Sequence, residues 1–69
     1  MDPRYQVQQY VAEVQGRFAR FRVFRTAAPG WYLFDALDPS GASWGLQFPV
    51  RAADLRDDVR RALANGWGT

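Results

Sequence analysis

The chain has 69 residues, nine basic and seven acidic, for a formal net charge of +2, with no His and no Cys. All nine basic residues are Arg, so no nucleophile–base pair can be built on His, Cys or Lys, and disulfides and thiolate or imidazole metal sites are excluded. A mass of 7.9 kDa fits one domain over residues 1–69 that buries roughly 60% of its surface, enough for a modest core but not for a deep catalytic pocket as well.

The N-terminus, Met1-Asp2-Pro3-Arg4-Tyr5, has no apolar run behind it and is not expected to be a secretory signal. No stretch approaches the ~20 apolar residues of a membrane span, so the expected compartment is the cytoplasm, with no membrane partner. Asp2-Pro3 reads as an N-cap followed by Pro in the first turn. Val7, Tyr10, Val11 and Val14 then lie on one helical face, with Gly16 as the stop. This predicts a first helix that includes residues 5–15 and ends at Gly16. Two rival readings exist. In one the helix continues through positions 18, 21 and 25, with Gly16 in its interior at ~1 kcal/mol relative to Ala. In the other, residues 5–14 form a further strand, because Tyr5, Val7 and Val11 share parity.

Residues 17–25 alternate Arg and aromatic side chains and predict a strand. Ala19, Phe21 and Val23 point one way, and Phe18, Arg20, Arg22 and Phe24 the other. Pro29-Gly30 suits the centre of a type II turn, and Asp38-Pro39-Ser40-Gly41 a type I turn. Between them, residues 31–37 read as a strand. After the second turn Trp44, Leu46 and Phe48 alternate with Gly45 and Gln47 as a half-buried strand, ended by Pro49.

The last predicted element is a helix over about 52–65. It has an apolar stripe of Leu55, Val59, Ala62 and Leu63, early Asp54, Asp57 and Asp58, and late Arg60 and Arg61. Asn65-Gly66 would stop it and Trp67 would pack back on its last turn. The three Asp residues read as a solvated, dipole-matched first turn rather than a metal site, and no metal or cofactor is expected.

The fold expected from these elements is α+β: helix, three-stranded antiparallel meander, helix (αβββα), with both helices on one sheet face. The alternatives are a long N-terminal helix with a hairpin and a helix, or an all-antiparallel sheet with a C-terminal helix. In the leading arrangement 17–25 and 43–48 are edge strands, and the second sheet face has no helix to cover it. That face predicts a non-enzymatic protein-interaction module, such as a small regulator, inhibitor or accessory subunit. Its contacts would be Arg17, Phe18, Arg20, Arg22, Phe24, Arg25 and Tyr32, with Trp67 as an anchor. The partner would be another protein. The same face also suits nucleic acid, with guanidinium groups on phosphates and rings stacked on bases. A third reading makes the chain an obligate homodimer unit. Trp31, Trp44 and Trp67 at element ends read chiefly as rings that close a small core.

Overall fold

The computed structural model describes the backbone of residues 1–64 and the side chains of residues 1–61. A short 3-10 turn, Pro3–Tyr5, leads into four strands: β1 (Val7–Gln15), β2 (Arg20–Thr26), β3 (Trp31–Leu37) and β4 (Ser43–Arg51). A second 3-10 turn, Ala52–Asp54, precedes the helix α1 (Asp57–Ala64). The strands form one antiparallel sheet in the order β1-β2-β3-β4.

The expected N-terminal helix and three-stranded meander are therefore corrected to a four-stranded sheet, and helices do not pair on one sheet face. Asp2 does cap, with its carboxylate accepting from Arg4 N at 2.9 Å, but the turn it starts is a single 3-10 turn. The chain then extends, as β-branched Val7, Val11 and Val14 and aromatic Tyr10 favour. Of the three readings of this segment, the strand is the one that forms, although its parity is not regular. The register with β2 shifts between Val7 and Gln9 and again between Tyr10 and Ala12. These bulges put adjacent Val11 and Ala12, and then Val14, below 9% exposure. Apolar residues spaced 7, 11, 14 imitate a helix because the bulges break the two-residue period.

Gly16 closes the β1–β2 hairpin instead of ending a helix. Its N–H donates to Ala19 O at 2.8 Å. A Cβ there would lie 2.5 Å from the Phe21 ring and 2.7 Å from Ala19 O. The two predicted turns form. Trp31 N donates to Ala28 O at 3.2 Å across Pro29-Gly30, with Gly30 at φ 79°. Gly41 N donates to Asp38 O at 2.9 Å.

With β1 on the outside, β2 is interior, so the expectation that 17–25 is an edge fails, and its regular strand begins only at Arg20. β4 is an edge, but Pro49 does not end it; the strand runs on to Arg51, as Pro is tolerated in an edge strand. The predicted helix 52–65 is broken at Leu55, which is extended (φ −68°, ψ 144°), so Asp54 belongs to the preceding turn. The predicted stop at Asn65-Gly66 and the packing of Trp67 lie outside the described residues.

Val14, Val23, Phe34, Leu55 and Val59 make the core between the sheet and α1, with Phe21, Tyr32 and Val50 packed against it. The helix start is tied to the sheet by Arg56, whose guanidinium donates to Gln15 O at 3.0 Å. On the opposite face, Leu33 and Leu37 are 1% and 2% exposed. Full burial of each such side chain contributes about 1.5–3 kcal/mol.

Candidate interaction surface

The register sorts the predicted contact residues onto two faces. Arg20, Arg22 and Phe24 stand opposite Leu37, Asp35 and Leu33, on the face away from α1. Arg25 stands opposite Tyr32, and Tyr32 packs against the helix-side core. Tyr32 is thus not brought together with Arg20, Arg22 and Phe24. Phe18 lies in the β1–β2 loop, 92% exposed. Arg17, in the same loop, lines a cavity of about 240 Å³ between α1 and the sheet. Trp67 lies outside the described residues.

The face expected to be bare is closed in large part by the chain itself. Leu33, Asp35 and Leu37 are all buried. Phe24 is half-buried and meets Tyr10 of β1 edge-on, with ring centroids 5.7 Å apart. The Arg20 guanidinium pairs with Glu13 at 3.0 Å, and that of Arg22 donates to Gly41 O at 3.3 Å. The 3-10 turn Pro3–Tyr5 packs against β2, β3 and β4, with Arg4 5.1 Å over the Trp31 ring. The N-terminal turn, with Tyr10 of β1 beside Phe24, supplies cover that the expected arrangement lacked.

Besides Phe18, large apolar side chains are exposed in two places, Met1, Tyr5, Val7 and Tyr10 at the N-terminus and on β1, and three consecutive alternate positions of β4. Trp44 is 58% exposed, Leu46 56% and Phe48 37%. Two local devices build this strip. Gly45 at φ 78° sits where the β3–β4 register shifts, between the Asp35↔Gln47 and Leu37↔Ser43 pairs. Ser43 Oγ donates to Asp35 Oδ1 at 2.7 Å and accepts from Gly45 N at 3.0 Å. One hydroxyl therefore satisfies a buried carboxylate and fixes the bulge. Phe48 stands opposite Phe34 on the helix side and stacks on it at 5.7 Å, with Phe21 edge-on at 5.7 Å. Trp44 shares a shallow depression with Phe18, Arg20 and Leu37.

No charged residue occurs from Pro39 to Val50. The strip is bounded at its start by Asp38, whose carboxylate accepts from the Ser40 hydroxyl and from the N–H groups of Ser40 and Ala42. These bonds, that of the Ser40 side chain foremost, hold its pKa below the ordinary 3.8. At its other end Arg51 pairs with Asp54 at 3.2 Å. Such a surface can exclude water against another apolar surface. Among the described residues no cluster of three or more Asp or Glu gathers to hold a metal ion. No helix among them is long and apolar enough to cross a membrane.

Sequence reasoning treated 44, 46 and 48 as half-buried and Trp44 as a core ring. The signal that marks them is the uncharged run 39–50, which covers most of this strand. No family model, curated protein or solved structure matches the chain.

Proposed function

We propose that the chain is a non-enzymatic protein-interaction module whose contact surface is the β4 strip of Trp44, Leu46 and Phe48 with neighbouring Phe18. The observation that carries this reading is three large apolar side chains, 58%, 56% and 37% exposed, at alternate positions of an edge strand that is uncharged from Ser43 to Val50. A monomer gains nothing from such a patch, and aromatic residues are the enriched anchors of interface centres. Nucleic acid is the weaker ligand for this surface. Arg4, Arg20, Arg51, Arg56 and Arg60 each pair with a carboxylate, which reduces the charge available to phosphates.

The test is capture from native lysate by the immobilised chain and by a Trp44→Ser/Leu46→Ser variant, each with and without nuclease. A protein retained by the wild type after nuclease, and lost by a variant of unchanged thermal stability, supports the reading. Equal retention by both, or loss of the band on nuclease treatment, overturns it.

A further inference from the structure

We propose that the occupant of the β4 strip is a second copy of this chain, set against the first by a two-fold axis passing near Leu46. This rests on the strip being the contact surface. Three observations select the second copy.

The first is charge. In a two-fold contact each patch meets itself, so any charge near the axis faces its own copy. Residues 39–50 carry none, while the ends differ in sign, Asp38 before the strip and Arg51 after it. Arg51 is already paired with Asp54 and the Asp38 carboxylate with Ser40 and Ala42, so apposition about the axis sets no unpaired like charges together. A contact through the Arg20 and Arg22 face would instead set guanidinium against guanidinium.

The second is area. With ~150–250 Å² for each ring, Phe18, Trp44, Leu46 and Phe48 together expose on the order of 450–500 Å² of apolar surface. A standard interface takes about 800 Å² from each partner, of which roughly 60% is apolar. The strip supplies that apolar share with little to spare.

The third is the state of the strand edge. Pro49 has no N–H, and the Gly45 N–H is already bonded to Ser43 Oγ at 3.0 Å. The edge is a poor template for another strand, which disfavours continuation of the sheet into an open stack. The copies meet through side chains, in a contact that closes after two.

The test is sedimentation equilibrium of the wild type, of Leu46→Glu, of Leu46→Arg, and of an equal mixture of the two variants. Val7→Glu, at an exposed position on the opposite edge, is the control. A wild-type dimer is expected. The dissociation constant should rise about 30-fold or more in each Leu46 variant, where like charges face across the axis, and affinity should return in the mixture. The control should behave as wild type. Far-UV spectra of the variants establish that they are folded. A monomeric wild type, a dimer that the Leu46 variants leave intact, or a mixture that does not recover overturns the proposal. Lysate capture separates the two failures. A monomer that still loses its captured protein on Trp44→Ser/Leu46→Ser has a heterologous partner on the same strip, so the broader reading stands. Capture unaffected by that variant removes the broader reading too.

Discussion

Single side chains hold the strip in place. Ser43 is the clearest case, because it is the side-chain partner of buried Asp35 and also the acceptor for Gly45 N. Ser43→Ala is expected to destabilise the fold by about 1–3 kcal/mol, the cost of leaving a buried polar group unpaired, measured by urea denaturation. Gly16→Ala forces a methyl into the Phe21 ring and Ala19 O, and the same assay should show a loss of about 1–3 kcal/mol. Asp2 and Asp38 both titrate below their ordinary value, held down chiefly by the Arg4 and Ser40 side chains. Carboxylates depressed in this way contribute stability that is present above pH ~4 and is lost as the pH falls through their folded pKa. Thermal melts should therefore show acid destabilisation below that pH, and Asp38→Asn should reduce it. Turn residues were legible in the sequence because Pro, Gly and Asp act through local geometry alone. The Ser43–Asp35 bond was not, since it joins two strands through a register that only the folded sheet defines.

Among the elements, β3 was read correctly because the strand-forming rings Trp31, Tyr32 and Phe34 and apolar Leu33 lie between two clear turns. It is also the strand buried on both faces, with Leu33 to Leu37 all below 9% exposure. Its amides are expected to exchange slowest with solvent, and those of edge strands β1 and β4 faster; uniform protection would contradict this layering. β1 was misread for a physical reason. Two bulges bury Val11 and Ala12 side by side and return Val14 to the core, so periodicity reports a helix where the backbone is extended. The error then propagated. With β1 read as a helix, β2 became an edge, its outer face became bare, and Arg20, Arg22 and Phe24 became the candidate surface. Once Tyr10 and Glu13 stand beside Phe24 and Arg20, that face is largely satisfied, while Trp44, Leu46 and Phe48 stay exposed on β4.

At the scale of the whole molecule, a chain this short has little stability in reserve, ~3–5 kcal/mol from a core of this size. Leu33→Ala, at a site 1% exposed, should cost about 2–5 kcal/mol and leave much of the protein unfolded, readable as loss of the cooperative thermal transition. A contact that covers Trp44, Leu46 and Phe48 adds stability to the same small core, so the melting temperature should rise with protein concentration. That β4 carries a contact between two copies of the chain is tested by backbone amide NMR from dilute to concentrated solution. Shifts centred on residues 44–48 and Phe18 are expected, with Arg20, Arg22 and Phe24 little changed. Shifts centred on those three residues, or spectra that do not change with concentration, would contradict it.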